Sequence, residues 1–138
     1  MISWRGALLA GAVIGLGCGG PTDMCACPPV APSAAVFGRV QTDGGAPVAE
    51  ATVLAYLARA GDCGRRDDAD GSAVTRGDGT YTVAIAGFED TEATCVRVRV
   101  RAPLESGLLD AADTTVTLAI RSARPFDSTR VDATLSRP

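Results

Sequence analysis

Three arginines alternate with valines in the segment CVRVRVR, so that Arg97, Arg99 and Arg101 would share one side of an extended strand. Guanidinium groups bind carboxylates, sulfates and phosphates through paired hydrogen bonds, and this row could therefore recognise an anionic glycan or a lipid headgroup. A row of this kind is also typical of an exposed strand face whose charges pair with neighbouring carboxylates. The sequence favours an exposed strand face paired with carboxylates. The three arginines stay a candidate binding surface.

A second motif, Arg76-Gly77-Asp78, matches the tripeptide that adhesive proteins present to cell-surface receptors. The triplet lies between two runs of alternating apolar and polar residues, and Asp78-Gly79 is a favoured dipeptide of tight turns. A turn explains the triplet without any receptor, and a match of three residues arises easily by chance. We therefore predict a tight turn between two strands at this position.

The carboxylates of Asp67, Asp68 and Asp70 resemble part of a calcium-binding loop. In such a loop, however, the first ligand would fall at Arg66 and the closing glutamate at Gly77. Neither of these residues has a carboxylate to offer a metal. We therefore predict a solvated acidic loop, with no metal and no cofactor.

The chain has five cysteines. If Cys18 carries a lipid, the other four form an even set, which suits an oxidising compartment. Cys63 with Cys95 is the natural disulfide, although two other pairings of the four would join the N-terminal region to the folded domain. Cys25 and Cys27 could bridge to each other or to another molecule. A metal or redox role for these two is disfavoured, because thiol ligands usually come in larger sets.

Histidine is absent from the chain. Its absence removes the Ser-His and Cys-His pairs of nucleophilic catalysis and the histidine ligands of the usual catalytic zinc sites. No pair of carboxylates lies in a setting typical of a glycosidase. The formal net charge of −3 gives no support to nucleic-acid binding. The sequence therefore predicts a protein that is not an enzyme.

Residues 1–17 are typical of a bacterial secretory signal, because Arg5 precedes an apolar, glycine-rich run that is too short to span a bilayer. The run ends in Gly15-Leu16-Gly17-Cys18, which resembles a lipobox, where the cysteine becomes the lipidated first residue. Gly15 stands where lipoboxes usually have leucine, and an ordinary signal peptidase would also accept this site. Secretion without lipid therefore stays an alternative. Residues 18–34, rich in proline and glycine, are predicted to form a flexible tether.

Residues 35–138 are predicted to form one all-β domain, because apolar residues alternate with polar ones in seven short runs separated by turn residues. Seven strands favour two packed sheets, since one open sheet would leave an apolar face in water. Leu54 and Tyr56 would lie on an outer face, covered by the long segment GDCGRRDDADGS (residues 61–72) that follows them or available to a partner. The predicted strands are centred on 36–40, 51–57, 73–76, 81–85, 96–100, 116–120 and 131–135.

The segment VFGRVQTDGGAPVAEATVLAY, followed further along by TRGDGTYTV, resembles the carboxypeptidase regulatory-like domain. The shared pattern includes Val36, Gly38 and Val40 in the first strand, and Gly79 with Tyr81 in a later hairpin. The resemblance implies a seven-stranded antiparallel Greek-key β-sandwich of the transthyretin-like kind, in an accessory role beside enzymes or outer-membrane receptors. Two catalytic families have similar sandwiches, the hydroxyisourate hydrolases and the intradiol dioxygenases. Both rely on histidines, which this chain lacks.

These features predict a lipid-anchored protein of the bacterial cell envelope, at the outer membrane or the cell surface. Its β-sandwich would act without catalysis, as a binding, spacer or assembly module. The expected partners are the membrane, through a lipid on Cys18, and an envelope protein or a glycan. The alternative is an extracellular module that binds a glycan or a peptide and is secreted without lipid.

Overall fold

The structure is a computed structural model that describes residues 31–58, 63, 68–87, 89–123 and 125–138. These residues contain eight β-strands and no helix, which confirms the prediction of an all-β domain. The strands, numbered in chain order, are β1 (Ser33–Thr42), β2 (Thr52–Leu57), β3 (Gly71–Val74), β4 (Thr80–Ala86), β5 (Thr91–Arg101), β6 (Thr114–Ile120), β7 (Asp127–Arg130) and β8 (Ala133–Leu135).

The described strands form two four-stranded sheets, as expected of a β-sandwich. In sheet 1, the central strand β1 pairs with β4 on one side and with β7 and then β8 on the other. In sheet 2 the strand order is β3-β2-β5-β6, and every pairing is antiparallel. Side chains from both sheets pack into a single hydrophobic core.

Alternation of apolar and polar residues determines which side chains enter this core. In β4, Tyr81, Val83 and Ile85 are buried, and Thr82 and Ala84 between them are exposed. In β5 the valines point inward and the arginines outward, as predicted. Each buried apolar side chain stabilises the fold by about 2 kcal/mol. Because this core has few aromatic rings, its stability is the sum of many contributions from aliphatic side chains. The largest fully buried side chains are Ile85, Leu118, Leu135, Val36, Val40, Val53, Val83, Val96 and Val98.

The last predicted strand differs from the structure in number and in direction. Instead of one antiparallel strand over 131–135, the described chain forms β7 and β8, and both run parallel to β1. The interruption lies at Val131, whose carbonyl oxygen would be 2.0 Å from a Cβ atom on Gly38. Glycine at this position lets the chain pass close to β1, and the Tyr81 hydroxyl donates a 2.5 Å hydrogen bond to the same carbonyl.

Two predicted boundaries also move. β1 begins at Ser33, before the predicted start of the domain at residue 35, because Ala34 already lies in the core. β3 ends at Val74, two residues earlier than predicted. At the next residue, the Thr75 N–H still donates to the Ala51 carbonyl, but the Ala51 N–H donates its 2.9 Å hydrogen bond to the buried Thr75 hydroxyl and not to the Thr75 carbonyl.

In the part of the chain that the structure describes, no helix is long and apolar enough to cross a membrane. The predicted signal sequence over residues 1–17 lies outside the described residues, and so do Cys18, Cys25 and Cys27. The lipid anchor and the pairing of the two tether cysteines therefore stay predictions.

Candidate functional site

On the outer face of sheet 2, two arginines of β5 share one carboxylate. Asp113, immediately before β6, accepts two 2.9 Å hydrogen bonds from Arg99 and one of 3.2 Å from Arg97. Hydrogen bonding to Arg99 is the main reason that the pKa of Asp113 lies below its usual value, and the same contact raises the pKa of Arg99. These bonds engage both guanidinium groups within the fold.

Tyr56 lies beneath these arginines. Its side chain is only 6% exposed, and the guanidinium carbon of Arg97 lies 4.5 Å from the centroid of its ring. The corresponding distance for Arg99 is 6.0 Å, so both cations are within range of a cation–π contact. Leu54, on the same face, is half-buried. We call this group the Asp113 cluster: Tyr56, Arg97, Arg99 and Asp113.

Arg101, the third arginine of the predicted row, lies outside the Asp113 cluster. Its side chain is exposed and forms no ion pair with any residue that the structure describes. In the strand register Arg101 lies opposite Thr52, and Thr52 in turn lies opposite Val74, which is 60% exposed. The predicted arginine row is therefore divided between two engaged guanidinium groups and one accessible one.

The outer face of sheet 1 holds a second group of arginines, which the sequence analysis did not bring together. The central strand β1 contributes an aromatic ring and an arginine, and β4 contributes two threonines beside them. One further arginine comes from β7 and another from the turn between β3 and β4. These side chains border an open concavity of about 500 Å³. We call this surface the Phe37 face, and it comprises Phe37, Arg39, Arg76, Thr80, Thr82 and Arg130.

The hydrogen-bonding groups of the Phe37 face are largely unused. Phe37 is 41% exposed. The guanidinium groups of Arg39 and Arg76 form no hydrogen bond or ion pair with the residues in the described ranges. Arg130 is held through Nε alone, which donates a 3.1 Å hydrogen bond to Asp132. The face thus presents an apolar ring among accessible cations.

Two carboxylates lie near Arg39, and each is held by other bonds. Asp132 accepts hydrogen bonds from Arg130 and from the backbone N–H of Arg39, at 3.1 and 2.9 Å, and the Arg130 bond is the main reason that its pKa is lowered. Asp78 accepts a 2.6 Å bond from the hydroxyl of Thr80, which is the main reason that its own pKa is lowered. Both carboxylates therefore stay ionised and remain hydrogen-bonded to these partners.

The Arg-Gly-Asp triplet forms the tight turn that its sequence predicts, and this turn connects β3 of sheet 2 to β4 of sheet 1. The Gly79 N–H donates a 2.9 Å hydrogen bond to the carbonyl of Arg76, and Gly79 has a φ of 79°. A Cβ atom on Gly79 would lie 2.4 Å from the carbonyl oxygen of Val40, so both the dihedral angle and the close approach require glycine. The turn geometry accounts for the triplet, and Arg76 is exposed at its edge.

In the predicted acidic loop, Asp70 binds the protein backbone. Its carboxylate accepts a 2.8 Å hydrogen bond from the Leu57 N–H, and its own N–H donates a 2.8 Å bond to the carbonyl of Ala55. Asp68 is exposed, and Asp67 lies outside the described residues. Within the described ranges, no three His, Cys, Asp or Glu side chains come together as metal ligands would.

Cys63 and Cys95 lie at disulfide distance, with their Cα atoms 5.6 Å apart. The bond joins Cys63, in the segment between β2 and β3, to Cys95 near the middle of β5, at a sequence separation of 32 residues. In the chain-entropy model a loop of this length adds about 3 to 4 kcal/mol to stability. The disulfide therefore supports sheet 2, the sheet that also holds the Asp113 cluster.

Phe37 and Arg39 were not predicted as site residues, although the sequence contains a signal for them. If Val36 and Val40 point inward, the residues between them at odd positions must point outward. Nor was Asp113 predicted, for which no local signal exists, because its contact with Arg99 depends on how β6 pairs with β5.

No family model matches the chain, and no curated protein matches its sequence. Among solved structures, the chain is similar to chlorocatechol 1,2-dioxygenase from Pseudomonas putida, with a TM-score of 0.49 and 14% identity. It is also similar to 3-chlorocatechol 1,2-dioxygenase from Rhodococcus opacus 1CP, with a TM-score of 0.47 and 13% identity. Each comparison covers 78% of this chain and 61% of the dioxygenase, so the chain spans about three fifths of those enzymes. Likeness at this level carries no functional argument.

Proposed function

We propose that this protein is a non-catalytic, lipid-anchored lipoprotein of the bacterial cell envelope whose β-sandwich binds a partner. The observation that carries the binding role is the Phe37 face. An exposed aromatic ring and accessible arginines around an open concavity are the side chains that dominate recognition surfaces in proteins. The alternative, a glycan- or peptide-binding module secreted without lipid, would use the same face.

The anchor is inferred from the N-terminal sequence. An apolar run that ends in a small residue followed by Cys18 suits export and lipidation, and the remaining cysteines are then even in number. The tether between Cys18 and β1 is long enough to hold the sandwich away from the membrane surface, at about 3 Å per extended residue. The sandwich would then also act as a spacer or an assembly module.

We further propose that the sandwich is a transthyretin-like Greek key related to the carboxypeptidase regulatory-like domain. Support comes from two motif residues that meet in the fold. Gly38 pairs with Tyr81 in the register of β1 and β4, and both residues contact the Val131 carbonyl. One motif residue makes room for the crossing chain, and the other satisfies its buried carbonyl.

The absence of catalysis is part of the proposal. The chain contains no histidine for a Ser-His or Cys-His pair. The described carboxylates with lowered pKa values, Asp78, Asp113 and Asp132, are held by hydrogen bonds from threonine or arginine. A general acid needs the opposite shift, toward neutral pH.

Fractionation of bacteria that express the full chain tests the anchor. We expect the wild-type protein in the membrane fraction, carrying a labelled fatty acid, and we expect Cys18→Ser to abolish both. Cys25→Ser, which removes another cysteine of the same predicted tether, is the matched control and should behave as wild type. Release of wild-type protein into the medium without label would instead support secretion without lipid.

Photo-crosslinking in intact cells tests the binding role. A photoreactive residue at Thr82, exposed on β4 within the Phe37 face, should capture a partner. The same residue at Thr117, exposed on β6 of sheet 2, is the control and should capture less. Equal capture at both positions, or none at Thr82, contradicts a binding role for the Phe37 face.

A further inference from the structure

We propose that the Phe37 face binds an acidic polysaccharide, with the Phe37 ring against a sugar ring and the arginines against its acid groups. This inference rests on the proposed binding role and adds the chemical class of the ligand. The polysaccharide would carry carboxylate, sulfate or phosphate groups, which share the geometry that guanidinium groups recognise.

The strand register places the necessary groups in two rows. Phe37 lies between Thr82 of β4 and Arg130 of β7, one on each side. Arg39 follows in the next outward position of β1, opposite Thr80. Neighbouring strands are about 4.8 Å apart, and successive outward residues about 6.7 Å apart. A sugar ring seated on Phe37 would therefore have hydroxyl groups on one side and guanidinium groups on two.

The guanidinium groups are available for this purpose. Arg39 and Arg76 make no side-chain hydrogen bond or ion pair within the described part of the chain, and the side chain of Arg130 is 64% exposed. Asp78 and Asp132 lie close by; Thr80 binds Oδ1 of Asp78, and Arg130 and the Arg39 backbone N–H bind Asp132, so neither carboxylate is hydrogen-bonded to a guanidinium of Arg39 or Arg76. A bound anion would add the paired hydrogen bonds that the arginines lack.

The position of these groups favours a polysaccharide over an acidic peptide. Extended peptides are commonly recognised through backbone hydrogen bonds at the free edge of a sheet. Phe37 and Arg39 lie on β1, which has a paired strand along both edges, so recognition there must use side chains. An exposed ring beside hydroxyl and guanidinium groups offers a flat apolar surface with polar groups at its border, which matches the two faces and the polar rim of a pyranose.

Isothermal titration of the full chain in a neutral detergent tests the proposal. The probes are polygalacturonate, dextran sulfate and neutral dextran, with poly-glutamate as the acidic peptide. We expect binding to one or both acidic polysaccharides at low salt, weakened by added salt, and no binding to neutral dextran. The two acidic probes distinguish carboxylate from sulfate recognition.

Three variants locate the site. Arg39→Gln and Phe37→Ala should each weaken binding about tenfold or more. Arg101→Gln removes the same charge from an exposed strand position on sheet 2 and should leave affinity unchanged. All three residues are exposed, and equal melting temperatures would verify that each variant is folded.

Three outcomes would overturn the inference. Loss of binding in Arg101→Gln but not in Arg39→Gln would move the site to sheet 2. Poly-glutamate binding as tightly as the polysaccharides, with Phe37→Ala unaffected, would show that no sugar ring is recognised. Failure of every acidic polysaccharide to bind would reject the ligand class, while a partner captured at Thr82 in cells would still support the proposed binding role.

Discussion

The two outer faces of the sandwich use arginine in different ways. On sheet 2, Arg97 and Arg99 are bound to Asp113 and lie over the ring of Tyr56, which is buried beneath them. On sheet 1, the arginines surround an aromatic ring that stays exposed, Phe37, and two of them have no carboxylate bound within the described residues. In the Asp113 cluster the guanidinium groups already have a carboxylate partner. On the Phe37 face, hydrogen-bond donors of the guanidinium groups remain available.

Net charge does not separate the two faces. Sheet 2 carries Arg97, Arg99 and Arg101 near Asp113 and Asp110, and the Phe37 face carries three arginines near two aspartates. The difference lies in hydrogen-bond occupancy and exposure. A guanidinium that already has bidentate carboxylate contacts must lose them before it can bind a ligand, and an unengaged guanidinium loses only water. Counting charges alone would therefore not distinguish the proposed binding surface from the Asp113 cluster.

Removing the disulfide should have the largest effect on stability and should act through sheet 2. The double variant Cys63→Ser and Cys95→Ser is expected to lose about 3 to 4 kcal/mol, because the unfolded chain regains the entropy of an open loop. Urea unfolding without reductant measures this loss, and wild-type protein in reductant should approach the variant. Equal midpoints for variant and wild type would show that the bond contributes nothing.

A methyl group at Gly38 should distort the support of the Phe37 face. Gly38→Ala is expected to lose about 3 kcal/mol, because the new Cβ would lie 2.0 Å from the Val131 carbonyl oxygen and the chain must shift. Gly44→Ala is the matched control, since its nearest neighbour is the Thr42 hydroxyl at 3.7 Å. If both variants unfold at the same urea concentration, the close passage of β7–β8 over β1 is wrong.

The two tyrosines offer a matched comparison of the two sheets. Tyr81→Phe should lose about 1 to 2 kcal/mol, because the buried Val131 carbonyl loses its donor. Tyr56→Phe removes a hydroxyl that makes no hydrogen bond within the described residues and should change stability little. Chemical denaturation of both variants measures the difference, and a larger loss for Tyr56→Phe would reverse the comparison.

The buried hydroxyl of Tyr81 should make the stability of the protein depend on pH in the alkaline range. Burial, followed by the charge of Asp132, raises the pKa of Tyr81 from 10.0 to about 12. The unfolded chain therefore releases this proton near pH 10, and the folded chain retains it, so stability falls as pH rises from 10 to 12. In Tyr81→Phe, which has no hydroxyl to ionise, stability should fall less between pH 10 and pH 12. An identical alkaline slope in wild type and variant would contradict the assignment.

Disrupting the Asp113 cluster should have the smallest effect of these changes. Asp113→Asn is expected to lose about 0.5 to 1 kcal/mol at neutral pH, since the carboxylate is partly exposed and its ion pairs are screened by solvent. Because the folded pKa of Asp113 is lowered from 3.8, its contribution is present above that pH and disappears as pH falls through the lower value. Melting curves of both proteins should therefore converge in strong acid. If the stability difference between wild type and Asp113→Asn stays the same at every pH, the ion pair is not its cause.

The sequence predicts the alternating strands well, because side-chain direction in a strand depends only on neighbours along the chain. Tyr81, Val83 and Ile85 point inward as their alternation requires. The end of the chain was harder to predict, because β7 and β8 depend on the passage of Val131 over Gly38, residues far apart in sequence. Alternation alone does not show whether two strands run parallel or antiparallel.

The candidate site, like the fold, has features that local sequence predicts and features that depend on long-range contacts. Alternation places both Arg39 and Arg99 on outward faces of their strands, and it gives no means of distinguishing them. Asp113 contacts Arg99 because β6 pairs with β5 in one particular register, which is a long-range property. The sequence could therefore nominate arginines as candidates, and only the fold could show which of them already have partners.

The most direct measurement is a titration of the isotope-labelled full chain with polygalacturonate and with dextran sulfate, followed by amide and arginine side-chain NMR signals. If the Phe37 face is the binding surface, shifts are expected at Phe37, Arg39, Thr82 and Arg130, with the Nε signals of Arg97 and Arg99 unchanged. Shifts concentrated on Arg97, Arg99 and Arg101, with the signals of β1 unmoved, would contradict this placement.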